Sequence, residues 1–366
     1  MRFKKYDTNW NRKKLSDYVK KITQKNNNNV IKNVICNSAQ NGLIPQLDFF
    51  DKEIANDENT AGYYIINNGN FVYNPRKSLS APYGPVNIYK YDKAGIVSPL
   101  YLCFSVDDCI NKSFLLQRFK SPCWYRYIYL NGDSGARHDR VSIKDEVFLS
   151  QPISLPSTEE QADIAEFLEK IDERITVQNK IISKYESLIK GLCDRIFRGS
   201  KSMYLSDLVK CKTSTLQENE VAASCEGEYK VFGASGIIAT IGNYQFDKNA
   251  VLVLKDGSKA GKIQYASGKY SVIGTSVVLI PNDSNDAKYL YFAMLSIDFE
   301  KYKVGSGIPH IYFKDYSAER IYYPDCAQRE KISKTLDAYE TKVEIEKEML
   351  SALQKQKAFL LKTMFI

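Results

Sequence analysis

The sequence is poor in the features on which metal binding and membrane insertion depend. It has 2 histidines in 366 residues, and its 8 cysteines include no Cys-x-x-Cys pair. Zinc sites need closely spaced Cys and His ligands, so we predict reduced, structural thiols instead. No apolar run approaches the roughly 20 residues of a membrane span, and the N-terminus is basic and polar. We therefore expect a cytoplasmic protein with no membrane partner.

Two segments approach catalytic or nucleotide-binding motifs without completing them. Residues 255–262 resemble a phosphate loop, but only three residues separate the glycines, and Ile263 stands where Ser or Thr would bind magnesium. The string Asn74-Pro75-Arg76 lacks the second proline and the aromatic residue of an amino-methyltransferase motif. No glycine-rich loop follows a strand and opens a helix, which leaves dinucleotide and S-adenosylmethionine binding unsupported. We predict a non-catalytic chain, with residues 255–262 as part of a strand–turn–strand.

A long amphipathic helix is the strongest pattern that the sequence does contain. After Pro156, apolar residues recur for about 40 residues in alternating steps of three and four, with Gln178 at the polar step. This heptad spacing keeps one stripe of a helix facing a partner helix. Ser157 or Thr158 can cap the helix, and 40 residues would make a rod roughly 60 Å long. Such a rod is expected to be a spacer and not the interior of one domain.

The same pattern occurs again 168 residues later. Pro324 matches Pro156, and Glu346 falls opposite Gln178. Because neither stripe can be buried alone, we predict an antiparallel coiled coil between the two helices. The alternative is two independent helices that pack on separate domains. The residues predicted for the coiled-coil and partner interface are Ile164, Leu168, Ile171, Ile175 and Ile182 in the first copy and Ile332, Leu336, Tyr339, Val343 and Leu350 in the second.

A globular lobe precedes each helix, which predicts four segments: residues 1–153, 154–199, 200–321 and 322–366. The lobes contain short β-prone runs separated by Gly, Pro and Asn turns, so we expect mixed α/β domains and an α+β fold. These runs lie at 63–66, 70–73, 86–89 and 100–104, and at 229–232, 250–254, 262–265 and 275–280.

Short echoes between the lobes support a tandem duplication. The string Leu-Ser-Asp occurs at 15–17 and again at 205–207, and the Ser-Gly-x-x-His of 134–138 returns at 306–310. The second echo predicts that His138 and His310 are equivalent. Lobe, helix, lobe and helix thus form a repeat with pseudo-twofold symmetry.

Positive charge is concentrated in the first lobe. The net charge is +8, and residues 1–150 carry 22 Lys and Arg against 14 Asp and Glu. A basic lobe favours a polyanion partner, with nucleic acid first, because cations on loops anchor phosphates and loop side chains reach base edges. The residues predicted to bind DNA are Arg76, Lys77, Ser78, Tyr83, Arg137, His138 and Arg140 in the first lobe and Ser235, Lys255, Ser258, Lys259, Lys262, His310 and Lys314 in the second.

In this order of lobes and helices, the chain resembles the specificity subunit of type I restriction-modification systems. The resemblance rests on Ile-Ser-Leu-Pro at 153–156, on Glu-Gln-Ala-Asp-Ile at 160–164, and on their second instances at 321–324 and 328–332. The second copy has Gln328-Arg329 in place of Glu-Gln. Lobe strings such as Val-Phe-Gly at 231–233 also resemble the family.

The resemblance implies two target recognition domains, each reading half of a bipartite site in double-stranded DNA. The paired helices would act as a ruler and dock two modification methyltransferase subunits, and restriction translocase/endonuclease subunits would join them. The resemblance implies no cofactor in this chain, with S-adenosylmethionine, ATP and magnesium bound by the partner subunits. Two other functions stay open: a protein-only coiled-coil adaptor, and a self-contained DNA methyltransferase or nuclease.

Overall fold

The chain divides into two compact units, and the division falls inside its two long helices. The computed structural model describes residues 2–46, 60–133, 139–198, 203–222, 227–305 and 307–365. The first unit is formed by residues 1–177 and 350–366, and the second by residues 178–349. Arg137 and His138, both predicted to bind DNA, lie outside the described residues. The four predicted segment boundaries remain a proposal.

The described part of the first lobe contains ten short strands and three short helices, and a long helix follows it. The strands are β1 (Asn11–Lys14), β2 (Val19–Lys21), β3 (Ile35–Ser38), β4 (Gly42–Pro45), β5 (Tyr64–Ile66), β6 (Phe71–Tyr73), β7 (Val86–Ile88), β8 (Gly95–Val97), β9 (Leu102–Val106) and β10 (Pro152–Leu155). The helices are α1 (Lys112–Lys120), α2 (Tyr125–Asn131), α3 (Asp145–Leu149) and the long α4 (Thr158–Phe197).

The second lobe and the second long helix follow a similar order. The strands are β11 (Met203–Tyr204), β12 (Val209–Thr213), β13 (Tyr229–Gly233), β14 (Gly236–Ile241), β15 (Ala250–Leu254), β16 (Ile263–Ala266), β17 (Tyr270–Val272), β18 (Ser276–Pro281) and β19 (Arg320–Ile321). The helices are α5 (Leu205–Leu208), α6 (Glu218–Ala222), α7 (Ala287–Met294), α8 (Phe313–Tyr316) and the long α9 (Cys326–Met364).

Each lobe is built on an antiparallel four-stranded sheet with the same strand order. The order is β2-β9-β6-β7 in the first lobe and β12-β18-β15-β16 in the second. A hairpin lies in the same place in each sequence, β3–β4 in one and β13–β14 in the other. The first strand of each hairpin approaches a later strand in parallel, through the bridge from Val34 to Ile96 and through the β13–β17 pair. The predicted duplication and α+β fold are confirmed.

A short two-stranded ladder closes each lobe. β1 pairs with β10, and β11 pairs with β19, both in antiparallel register. The chain therefore enters and leaves each lobe through adjacent strands. All four side chains of β1, Asn-Arg-Lys-Lys, are exposed, so this strand shows no apolar alternation.

The long helices are anchored to the lobes at their N-terminal ends. The Ser157 hydroxyl accepts a hydrogen bond from the Glu160 amide at 3.3 Å, as the capping prediction requires. In the first copy, the Gln161 side chain donates to the Pro156 carbonyl at 3.1 Å. In the second copy, Arg329 donates to the Pro324 carbonyl at 2.7 Å. The change from Glu-Gln to Gln-Arg therefore preserves the bond to the proline carbonyl.

Part of each predicted seam packs on a lobe as well as on the other helix. Ile164, Leu168 and Ile171 are buried in the core of the first lobe, together with Leu360 and Leu361 from the end of α9. In the second unit, Leu336 is buried in the lobe core with Cys193 and Phe197, and Ile332 is packed against that core.

Polar contacts also join the two helices directly. Asp172 of α4 pairs with Lys357 of α9 in the first unit, and Glu186 pairs with Lys347 at 2.6 Å in the second. Gln178 contacts Glu346. Asp172 thus meets Lys357 near the end of α9, whereas Gln178 and Glu186 meet Glu346 and Lys347 nearer its middle. The helices therefore run antiparallel as predicted, and they contact both each other and the lobes. Among the remaining predicted seam residues, Ile182 and Val343 are buried, and Ile175, Tyr339 and Leu350 are partly buried.

Candidate DNA interface

In each lobe, four of the predicted DNA-binding residues lie on the loop between two equivalent strands of the sheet. The β6–β7 loop carries Arg76, Lys77, Ser78 and Tyr83, and the β15–β16 loop carries Lys255, Ser258, Lys259 and Lys262. Because β6 and β15 hold the same position in the sheet, the two loops are equivalent. The residues 255–262 form a glycine-containing turn between two antiparallel strands, as predicted.

A second segment of the first lobe lies beside the β6–β7 loop. The Lys77 amide donates to the Asp139 carbonyl at 2.8 Å, and Arg76 forms an antiparallel backbone bridge with Arg140. The side-chain Nε atoms of both arginines lie 3.9 Å from Oδ2 of Asp139. The Arg76 side chain is 68% exposed. The structure therefore brings Arg76, Lys77 and Arg140 together on one exposed site.

His310 takes the corresponding place in the second lobe. Asp256, on the β15–β16 loop, forms an antiparallel bridge with His310, and Oδ1 of Asp256 lies 2.8 Å from Nδ1 of His310. The counterpart of His310 by backbone pairing is therefore Arg140. His138, which the sequence predicted to be equivalent to His310, lies outside the described residues. Asp256 was not among the predicted site residues.

Buried amide side chains fix the β3–β4 turn to the β6–β7 loop. Asn37 is 6% exposed and donates to the Val72 carbonyl at 2.8 Å, while its Oδ1 accepts from Asn87 at 2.7 Å. Asn74 donates to the Asn37 carbonyl at 3.1 Å and accepts from the Arg76 amide at 3.0 Å. A fully bonded buried network of this kind makes a local structure rigid. It holds the loop that carries Arg76 in one position.

A cleft of about 410 Å³ lies between this turn and the loop. Gln40, Lys77 and Ser78 line it, and Cys36 and Tyr101 are also in its wall. Burial raises the pKa of the Cys36 thiol and of the Tyr101 phenol, so both are neutral near pH 7. Gln40 was missed from the sequence, where its only signal is the turn string Gln-Asn-Gly.

The cations of the second lobe line a different cleft, of about 650 Å³. Lys259 and Lys262 lie there with Lys190 from α4 and with Lys303. Lys303 is paired with Glu300 at 2.6 Å. Within the described residues, Lys190, Lys259 and Lys262 form no ion pair, so their charges are available to an anion. Lys190 and Lys303 were not predicted, because they are distant from the loop in sequence.

Three predicted residues lie apart from these clusters. The Tyr83 ring is half-buried and packs on Tyr125, with 5.0 Å between ring centroids. Ser235 lies in the β13–β14 turn, and the Lys314 ammonium lies 5.5 Å from the centre of the Tyr312 ring. Their role in DNA binding stays a prediction.

Neither a group of metal ligands nor a membrane-spanning helix is found in the part of the chain that the structure describes. No three or more His, Cys, Asp and Glu side chains in that part are grouped so that they could hold a metal ion. None of its helices has the length and apolar character needed to cross a membrane.

Comparison with known proteins identifies a family that this chain matches. The family described as "Type I restriction modification DNA specificity domain" matches residues 8–187 and again residues 198–355. The type I restriction enzyme MjaVIII specificity subunit of Methanocaldococcus jannaschii is 28% identical over 123 residues, which cover 32% of this chain and 28% of that protein. The EcoDI specificity subunit of Escherichia coli is 28% identical over 156 residues, 42% of this chain and 34% of that protein. The matches thus span about a third of these relatives' length.

A solved structure is similar over the whole chain. The crystal structure of the type I restriction-modification S subunit from M. genitalium has a TM-score of 0.60 at 15% sequence identity, and the match covers 100% of this chain and 99% of that one. At this identity the likeness concerns the fold. The two family matches cover most of the sequence, one for each lobe and most of its long helix. The chain belongs to the family of type I restriction modification DNA specificity domains.

Proposed function

We propose that the chain is the sequence-specific, non-catalytic DNA-binding subunit of a type I restriction-modification complex, in which each lobe reads half of a bipartite site. The observation that carries the proposal is the repeated loop. Each lobe presents polar residues on the same loop of the same sheet, yet the residues differ between the lobes. Two lobes with different polar residues on the same loop suit a DNA site whose two halves differ in sequence.

The charges of the loops support duplex DNA as the ligand. Lys77, Lys259 and Lys262 can anchor phosphates, which fixes a protein on DNA without reading its sequence. Arg76 and Asp256 can contact base edges. The buried Asn37 and Asn74 side chains hold the loop that carries Arg76 in a fixed conformation. Recognition of a nucleobase requires such a fixed geometry.

We further propose that the long helices dock two modification methyltransferase subunits on their outer faces. Six of the ten predicted seam residues are buried, so they stabilise the helices and the lobes, and a partner subunit would contact exposed positions instead. Val177 and Ile345, which are equivalent positions 168 residues apart, are both about half exposed. Repeated apolar positions on the outside suit two copies of one partner.

The remaining partners follow from this assignment. Restriction translocase/endonuclease subunits would join the methyltransferase subunits in the cytoplasm, and S-adenosylmethionine, ATP and magnesium would bind to those partners. The helices would serve as the spacer between target recognition domains at residues 1–153 and 200–321.

The test is a map of methylated bases in the host genome with the gene intact, deleted and restored. We expect deletion to remove one bipartite methylation motif and restoration to return it. An unchanged map in a host whose methyltransferase subunit is active would contradict the proposal. A protein-only adaptor would leave the purified chain without DNA affinity, and a self-contained enzyme would methylate or cleave DNA alone.

A further inference from the structure

The two lobes carry chemically different residue pairs at the same backbone position. In the first lobe the bridge between the β6–β7 loop and the following segment joins Arg76 to Arg140. In the second lobe the equivalent bridge joins Asp256 to His310. The supporting hydrogen bonds also match, because the Lys77 amide donates to Asp139 and the Gly257 amide to Pro309. The scaffold is the same, and only the side chains on it differ.

We infer that this bridged pair determines the sequence specificity of each lobe, with Arg76 and Arg140 selecting guanine and Asp256 with His310 selecting cytosine. The inference rests on the proposed function and assigns the base contacts within it. Arginine binds O6 and N7 of guanine through two parallel hydrogen bonds, and an aspartate accepts from N4 of cytosine.

The arginine pair is held in place for a contact of this kind. One carboxylate oxygen of Asp139 lies 3.9 Å from Nε of both arginines. This carboxylate reduces the repulsion between the two guanidinium groups, while the outer guanidinium nitrogens stay available for donation. The Arg76 amide is in addition fixed by the buried Asn74 side chain.

The acidic residue in the second lobe is the stronger argument. A carboxylate among phosphates is repelled, so Asp256 cannot be an anchor for the DNA backbone. Its Oδ1 contacts His310, and its Oδ2 lies 3.9 Å from the Lys255 ammonium. An ionised carboxylate has about four acceptor positions, so these two neighbours leave it able to accept from a base. The His310 side chain is 40% exposed and that of Asp256 is 33% exposed, which keeps both accessible.

Selection of bound duplexes from a random DNA library by the full chain, followed by sequencing, tests the inference. The wild-type chain should select a bipartite motif. Arg76→Gln should shift one position of one half-site from guanine toward adenine, and Asp256→Asn should shift one position of the other half-site from cytosine toward adenine. We expect about a 5- to 150-fold change in preference at that position. A shift to a new base cannot result from misfolding.

Matched controls separate base reading from general affinity. Arg126→Ala and Lys248→Ala remove exposed cations of the same lobes outside the bridges, and the selected motif should be unchanged. If Arg76→Gln and Asp256→Asn select the wild-type motif, or weaken all sequences equally, the inference is overturned and the proposed function stands. If the wild-type chain selects no motif, the proposed function itself fails.

Discussion

Gln178 and Glu346, which are equivalent residues of the two long helices, are hydrogen bonded to each other. The Gln178 amide donates to the Glu346 carbonyl at 3.0 Å and also to its carboxylate. In an antiparallel pair of equivalent helices, equivalent residues face each other only at the centre of the pair. This contact therefore marks that centre, and a buried polar pair in an apolar seam specifies the register of the helices.

We expect Gln178→Leu to lower the stability of the helix pair, because it leaves the Glu346 carboxylate without its amide donor. The double variant with Leu at both positions should recover stability, since apolar replacement of both partners removes the unmet bond. Urea unfolding of the two single variants and the double variant measures the coupling. If the double variant loses as much unfolding free energy as the two single variants together, the two side chains are not coupled.

The same pair should respond to acid. Hydrogen bonds from Lys342 and Gln178 lower the pKa of Glu346 from its usual 4.5. A lowered pKa in the folded state contributes stability that is present above pH 4.5 and is lost as the pH falls through the lowered value. Glu346→Gln should remove this contribution, which a comparison of unfolding midpoints at pH 7 and below pH 4.5 would detect. Identical acid sensitivity in both proteins would contradict it.

Leu336 and Leu188 provide a matched comparison within the long helices. Leu336 is fully buried in the core of the second lobe, whereas Leu188 is 42% exposed. Leu336→Ala should cost about 2–5 kcal/mol of unfolding free energy because it leaves a cavity. Leu188→Ala should change the unfolding free energy by no more than about 0.5 kcal/mol. Similar values for both would show that α9 is not anchored in the lobe through Leu336.

Two glycines of the β15–β16 loop should differ in their tolerance of alanine. Gly257 and Gly261 both have positive φ, of 93° and 88°. A Cβ on Gly257 would meet no atom within 4 Å, whereas one on Gly261 would lie 2.5 Å from Cβ of Phe299. Gly257→Ala should cost about 1–3 kcal/mol through backbone strain alone, and Gly261→Ala should cost more. Thermal unfolding of both variants shows which one loses more stability. A larger loss for Gly257→Ala would show that the contact with Phe299 does not limit the substitution at Gly261.

Lys259 should contribute to DNA affinity without affecting sequence preference. Lys259→Glu should weaken binding to all duplexes and reduce the slope of log affinity against log salt by about one or more. Lys248→Glu, at an exposed lysine of the same lobe outside the cleft, should change the slope less. Fluorescence anisotropy titrations at several salt concentrations measure both slopes. Equal slopes for the two variants would remove Lys259 from the interface.

The sequence was sufficient to predict those helices and strands whose pattern of apolar side chains indicates which face is buried. The heptad seams predicted α4 and α9, and the β-prone run at 250–254 is β15 to the residue. β1 was missed because its four exposed polar side chains carry no alternation, and it is held by backbone bonds to β10. Its existence depends on a partner strand about 140 residues away, which local propensity does not encode.

The candidate site was predicted only in part, for a related reason. Runs of cations on one loop, such as Lys255 to Lys262, are visible in the string of residues. The partners that complete the site, including Asp256 with His310 and Lys190 with Lys259, meet through the topology of the lobe. The equivalence of His138 with His310 stays a prediction, because His138 lies outside the described residues.

The ladders formed by β1 with β10 and by β11 with β19 bring the entrance and exit of each lobe side by side. A segment bounded in this way can be exchanged as a cassette, since a foreign lobe needs to supply only the same two closing strands. New binding preferences could then arise by recombination of whole lobes, with the long helices inherited unchanged.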